Sequence, residues 1–264
     1  MTVTNSHIAA AIERYAPLTL QEQWDNSGWQ IGRPEAVCSG VLICVDASEA
    51  VIDEAVSIGA NLIITHHPLI FRPMPNILPE QGRVAATVEK ALKADISIYS
   101  AHTSADNAVH GVSWQIASDL GLTDIRPLLP GAQPGSGTAA IGNLAKPMSP
   151  AEFASLVKQT IGAQTARCSS PATAPTRISR VALCGGSGAE FIPDAIKAGA
   201  QAFVTSDSRH NQFIDHANRI FLVDIGHYES EKCTKRIFYH ILTQNFPNFA
   251  VHISQSETNP IVYL

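Results

Sequence analysis

A chain of 264 residues is long enough for one large or two medium α/β domains, and its 45% hydrophobic content suits a globular protein with buried cores. The formal charge of -5, the pI near 6.0 and the lack of a Lys/Arg-rich block argue against nucleic acid or an anionic membrane as partner. Five cysteines without a CxxC favour a reducing compartment, and there is neither a basic-then-apolar leader nor an apolar run of ~18 residues, so a soluble cytoplasmic protein is expected.

Residues 6–16 place Ile8, Ile12 and Tyr15 on one face behind a Ser6 N-cap, an amphipathic helix that Pro17 stops. In Trp24-Asp25-Asn26-Ser27-Gly28-Trp29-Gln30-Ile31-Gly32, turn-forming residues punctuate two tryptophans, which predicts a turn leading into a short strand, either an aromatic anchor or part of a site. From Gly40 the pattern becomes α/β. Val41 to Val45 is a buried strand, a helix opens at Asp46-Ala47-Ser48-Glu49 and runs to Ile58, Gly59 caps it, and Asn61 to Thr65 is the next strand. That strand ends in His66-His67-Pro68. Neighbouring strand side chains point to opposite faces, so two adjacent histidines can serve one site only where the strand breaks, and Pro68 supplies the break. Beyond a Pro-rich loop, Gly82 to Ala94 reads as a helix and Asp95 to Ser100 as a strand that delivers His102 and Asp106. A helix from Val112 to Leu120 follows.

Leu128 to Gly137 is the clearest Gly/Pro loop and marks the expected boundary, giving halves of residues 1–129 and 130–264. Thr138 to Leu144 reads as a strand. Ser149-Pro150-Ala151-Glu152 is a capping box with Pro at the first helical position, opening a helix to Ile161, and residues 168–177 are loop. The second half then echoes the first. Val41 to Thr65 aligns without a gap on Val181 to Thr205 with seven identities, among them Cys44 with Cys184 and Gly59-Ala60 with Gly199-Ala200. Ile96 to His102 corresponds to Phe221 to His227, and four positions after each histidine stands a carboxylate, Asp106 or Glu231. The fold class expected is α/β, two related α/β halves from an internal duplication.

The candidate site draws on His66, His67, His102, Asp106, His227 and Glu231, all at or just past the carboxyl ends of predicted strands, where open α/β sheets place ligands. A His-x-x-x-carboxylate spacing puts imidazole and carboxylate on one face if a helical turn begins there. Four imidazoles and two carboxylates exceed the set of a single zinc site. Without a thiolate they suit two first-row divalent ions, with Zn, Fe, Mn, Co and Ni not distinguished and the carboxylates free to bridge. Two ions ~3.5–4 Å apart would hold a bridging water, lower its pKa and direct it at an electrophilic carbon or phosphorus. His7, His110, His216, His240 and His252 lack such partners and are read as ordinary residues. His210, in Thr205-Ser206-Asp207-Ser208-Arg209-His210, could flank the site, because Ser206-Asp207 is the counterpart of His66-His67. The amides of Cys184-Gly185-Gly186-Ser187-Gly188 could cradle an anion, though glycine for a tight β-to-α turn is the stronger reading. No Ser/His/Asp or Cys/His nucleophile motif stands out, and no catalytic side chain is assigned.

These motifs, from Trp24 to Gly32, Thr65 to Phe71, Ser100 to Asp106, Cys184 to Gly188 and Gly226 to Glu231, resemble the NGG-interacting-factor-three-like family of dinuclear metal proteins, also called GTP cyclohydrolase type-two homologues. The resemblance covers nearly the whole chain. It implies a metal pair in a crevice between two α/β halves and a ring-shaped homohexamer. Carried over by motif, it makes His66, His67, Asp106, His227 and Glu231 ligands, Asp106 and Glu231 bridging, and His102 a further site residue. Two departures stand out: the short Pro130 to Gly137 loop leaves no room for the large inserted domain of some relatives, and Ser206 stands where the family usually has glycine. The function so implied is a dinuclear metal-dependent hydrolase attacking a small nucleotide-like or cyclic amide substrate. The alternative is a non-catalytic metal-binding scaffold or regulatory adaptor.

Overall fold

The computed structural model describes residues 2–264. In chain order the elements are α1 (Asn5–Tyr15), β1 (Gly28–Ile31), β2 (Val41–Cys44), α2 (Glu49–Ser57), β3 (Leu62–Thr65), α3 (Arg83–Lys93), β4 (Ser97–Ser100), α4 (Thr103–Asp106), α5 (Val112–Asp119), β5 (Thr123–Pro130) and β6 (Gly137–Met148). There follow α6 (Pro150–Ile161), β7 (Arg167–Cys168), β8 (Ile178–Leu183), α7 (Ile192–Lys197), β9 (Ala202–Thr205), α8 (His210–His216), β10 (Phe221–Asp224), α9 (His227–Glu231), α10 (Cys233–Asn245) and β11 (Val251–Ile253). No described helix is long and apolar enough to cross a membrane.

The chain forms two compact units, one of residues 1–105 and 234–258, the other of residues 106–233 and 259–264. This division differs from the expected one at residue 130. Residues 131–136 are the turn of a hairpin in which Pro130 of β5 pairs with Gly137 of β6 inside one sheet, so the Gly/Pro loop separates strands, not units. Gly137 has φ +146, and a Cβ there would meet the carbonyl oxygen of Leu129, so the tight turn itself requires glycine. The chain also returns to the first unit at its end, through most of α10 and through β11.

The first unit has a five-stranded sheet, in spatial order β1, β4, β3, β2, β11. β2, β3, β4 and β11 are parallel and β1 is an antiparallel edge. Every residue of β2, β3 and β4 is buried, which is why β2 and β3 read as apolar runs and not as an alternation. Val51, Ile52 and Ala55 of α2 and Val88 and Ala91 of α3 join Leu42, Ile63 and Ile98 in one core. Helix α1 buries Ile8 and Ile12, and its Glu13 accepts a 2.9 Å hydrogen bond from the hydroxyl of fully buried Tyr99. Its N-cap is Thr4, in a capping box with His7, and not Ser6.

The second unit has a six-stranded mixed sheet, in spatial order β5, β6, β8, β9, β10, β7, whose β8, β9 and β10 are parallel. Its strands alternate between two cores. Val181, Leu183, Val204, Phe221 and Val223 pack with Val112 and Ile116 of α5 and Phe153 and Val157 of α6. Ala182, Phe203 and Leu222 face Ile192 and Ala195 of α7. The capping box at Ser149 and Glu152 is present as expected.

The two βαβ segments share their local geometry, as an internal duplication predicts. Val41 pairs with Leu62 and Val181 with Ala202, the same separation in the chain. Both helices end alike. Ala60 N donates to Ala55 O and Ala200 N to Ala195 O, with Gly59 at φ +73 and Gly199 at φ +79.

Candidate metal centre

The first unit gathers three histidines at the carboxyl ends of β3 and β4. Thr65 ends β3, and its hydroxyl donates to the carbonyl of His67 at 2.8 Å while lying 2.6 Å from the hydroxyl of Ser100 at the end of β4. His66 N and His67 N still reach Cys44 O and Val45 O, at 3.2 and 2.9 Å, so both stay tied to the path of β2 as the chain turns. The adjacent histidines thereby lie with ring centroids 5.0 Å apart, and His102 joins them at 5.3 Å from His66 and 5.5 Å from His67. Each of the three offers a ring nitrogen within 4.8 Å of the other two.

Each ring is also held by its Nδ1. His66 Nδ1 lies 3.0 Å from the carbonyl oxygen of Ala101, His67 Nδ1 is 3.1 Å from Asp46 Oδ1, and His102 Nδ1 is 2.7 Å from Asp25 Oδ1. Asp25 is the most committed of these partners. Its side chain has no exposed surface, and its oxygens also accept from Asn26 N, Thr103 N, Thr103 Oγ1 and Ser27 Oγ. Burial alone would raise its pKa, but the hydrogen bonds and charge of His102 and the bonds from Thr103 and Ser27 outweigh that and hold the carboxyl well below the ordinary range. Asp46 is lowered in the same way, with burial opposed by the His67 hydrogen bond.

The second unit builds a related arrangement. Both His-x-x-x-carboxylate segments contain the short helical turn that the spacing requires, α4 ending at Asp106 and α9 running from His227 to Glu231. His227 Nδ1 is 2.6 Å from Asp207 Oδ2, and Nε2 is 2.9 Å from Glu231 Oε2. Burial would lower the pKa of this imidazole, but the two carboxylates that flank it raise it to about 10. Asp207, lowered chiefly by the His227 hydrogen bond, adopts φ +55 to reach it. Asp106 and Glu231 both act on Cys184, whose thiol burial and those two charges push up, so it is held as a neutral thiol.

The glycine-rich turn is not an anion cradle. Gly185 N donates to Ser113 Oγ, Gly186 N to Ser230 Oγ and Gly188 N to Thr205 Oγ1, so these amides are already committed. Its role is to make room. Gly186 has φ +65, and a Cβ there would fall 2.1 Å from Glu231 Oε1. Ser206, the counterpart of His66, is fully buried, while His210 stands exposed at the start of α8. His7 serves the α1 cap and His110 stacks on Trp114 at 4.2 Å, in keeping with ordinary roles for both.

Three aspartates that spacing did not single out as site residues, Asp25, Asp46 and Asp207, fix the rings. Asp25 lay in the turn-forming cluster before β1, which was the one available signal. Asp46 read as a helix opener, and Asp207 emerged only through its alignment with His67. An aspartate or carbonyl that accepts Nδ1–H leaves the other ring nitrogen with its lone pair, the form that binds a metal. The donor set therefore fits divalent metal ions.

The sequence profile of the Duf34/NIF3 (NGG1p interacting factor 3) family matches residues 3–260. A protein of a Nostoc species named GTP cyclohydrolase 1 type 2 homolog is 38% identical over 227 residues, covering 81% of this chain and 85% of its own. A protein of the same name from Streptomyces coelicolor is 31% identical, covering 97% and 92%. Among solved structures, a Bacillus cereus protein related to NIF3 superposes with a TM-score of 0.90 at 24% identity, covering 100% of this chain and 99% of that one, a likeness of fold.

Proposed function

The chain belongs to the Duf34/NIF3 family, and from that premise we propose that it is a cytoplasmic, dinuclear metal-dependent hydrolase acting on a small nucleotide-like or cyclic amide substrate. His66, His67, Asp106, His227 and Glu231 would hold two divalent ions, Asp106 and Glu231 bridging and His102 completing the surroundings. The observation that carries this reading is the anchoring of His67, His102 and His227 by one aspartate each, which sets ring orientation before any ion arrives. Bound ions would supply the acidity that makes water a nucleophile near neutral pH. The chain's own part is to hold the rings of His66, His67 and His102 by their Nδ1 atoms and to keep Asp25, Asp46 and Asp207 ionised. Asp207 and Glu231 flank His227 and raise its pKa to about 10, so a cation held there would compete with a proton.

The relatives' printed name, GTP cyclohydrolase 1 type 2 homolog, supports GTP as the first substrate to try. The test is metal content per chain after expression with supplied metal, for the wild type and for His67→Ala and Glu231→Ala, followed by turnover with GTP, other nucleotides and cyclic amides. Fewer than about one ion per chain, with retention unchanged in both variants, refutes the centre. Full occupancy without product across the panel favours a metal-binding scaffold or adaptor instead. The homohexamer belongs to the same proposal, and light scattering in solution tests it.

A further inference from the structure

We propose that Trp24 and Phe71 form an aromatic platform that binds a flat heterocyclic ring beside the histidine cluster, with Arg72 taking an anionic group of the same ligand. The inference rests on the reading of the centre as acting on a small molecule and adds the feature that would recognise it. Trp24 is 60% exposed and Phe71 42% exposed, whereas Tyr99 of the adjoining strand β4 is fully buried. A single exposed aromatic needs no explanation, but these two are paired, with centroids 5.9 Å apart and planes at 61°. Both also pack edge-on against His102, at 6.0 and 6.2 Å. One margin of the pair thus meets the candidate ligands and the rest meets solvent.

The pair is fastened in place by polar contacts. Asn26 Nδ2 donates to Ile70 O at 2.6 Å, Ile70 N donates to Gln30 Oε1 at 3.0 Å, and Gln30 Nε2 donates to Asn26 O at 2.7 Å. Two segments at least forty residues apart in sequence are therefore clasped next to the residues that carry the rings. A surface ordered before binding loses little entropy on binding, and a wet face of two aromatic rings is the stacking platform that heterocyclic bases favour. The Arg72 guanidinium lies 5.9 Å from the Phe71 ring centroid and is exposed, a cation beside the platform. A planar base bearing phosphate satisfies both features.

Guanosine, GTP and tripolyphosphate are titrated into the metal-loaded full chain by calorimetry, using the wild type, Trp24→Ala, Phe71→Ala, Trp24→Phe and Arg72→Gln. Saturable binding of guanosine and GTP is expected, with each alanine variant weakening both by roughly five- to a hundredfold and Trp24→Phe restoring most of the loss. Arg72→Gln is expected to weaken GTP while leaving guanosine unchanged. Both rings are exposed, so melting temperature and metal content of the variants should match the wild type; if Trp24→Ala fails to fold, Phe71→Ala reads the same outcome. Absence of guanosine and GTP binding in the millimolar range, or equal affinity in wild type and both alanine variants, overturns the platform. Metal content of the same wild-type sample separates the two readings: full metal without base binding removes only the platform, whereas base binding without metal removes only the centre.

Discussion

Replacing Asp25 by asparagine keeps the shape of a fully buried side chain and removes its charge. The carboxylate accepts five hydrogen bonds, from His102 Nδ1 and Asn26 N on Oδ1 and from Thr103 N, Thr103 Oγ1 and Ser27 Oγ on Oδ2. An amide accepts at one of these two positions only, so its NH2 must face donors whichever way it turns. Facing His102, it forces the imidazole to accept at Nδ1 and carry its proton on Nε2, which removes the lone pair that a metal needs. Facing Thr103, it leaves a buried backbone N–H without an acceptor, at about 1–3 kcal/mol. Loss of a carboxylate that orients a ligand histidine typically lowers metal affinity by roughly 10–100-fold, or ~1.4–2.7 kcal/mol. Competition against a chromophoric chelator measures the affinity directly. Calorimetry of the metal-free variant reports the second cost as a fall in Tm of about 2–4 °C per kcal/mol. Metal affinity within twofold of the wild type together with an unchanged Tm would refute the assignment of Asp25 to His102.

Gly186→Ala should lower metal occupancy without unfolding the protein, because the added Cβ meets the mobile end of Glu231 and displaces its carboxylate, while the left-handed backbone adds only about 1 kcal/mol of strain. Full occupancy measured in that variant would show that Glu231 does not depend on the glycine. Thr65→Val removes the hydroxyl that holds the His67 carbonyl and meets Ser100; about 1–3 kcal/mol of stability and part of the metal affinity should go together, in denaturant unfolding and chelator competition. Burial would raise the Glu54 carboxyl, but the hydroxyls of Ser254 and Ser256 and the amides of Gln255 and Ser256 hold it at about 2. A depressed carboxyl contributes stability that is present above its unfolded value, 4.5, and lost as pH falls through about 2. Discounted for solvent screening, the contribution is about 1–2 kcal/mol, so the gap in urea stability between wild type and Glu54→Gln should narrow from pH 7 to pH 3, and a gap constant across that range would contradict it.

The parallel strands around the site were legible because burial on both faces leaves unbroken apolar runs, as in Val41 to Cys44 and Leu62 to Thr65. The break at Pro68, the capping box at Ser149 and the helical turns after His102 and His227 were legible from local chemistry alone. Strand β5 was not, since it is an edge strand with Pro127 and Pro130 and mostly solvated side chains, so it carries no apolar period. Strand β11 is three residues long, and only its pairing with β2, far back in the chain, identifies it. The Leu128 to Gly137 loop misled because Gly and Pro mark any turn, whether it separates strands or units. In the same way the clustered histidines were readable from their spacing, whereas Asp25, which orients His102 across more than seventy positions, belongs to an arrangement that only tertiary packing creates.

The place of β11 bears on synthesis of the protein. Val251 pairs with Val41, and Glu54 clasps residues 254–256, so the first sheet lacks an edge strand until residues 251–256 have been made. At ~5–20 residues per second the intervening segment takes roughly 10–40 s to emerge. During that interval β2 exposes an unpaired edge on the nascent chain, the kind of edge that invites foreign strands. Most of the second unit, residues 106–233, is by contrast made before β11. The unit that begins first thus waits on a segment made long after its other strands, and pairing of Val251 with Val41 is what covers that edge.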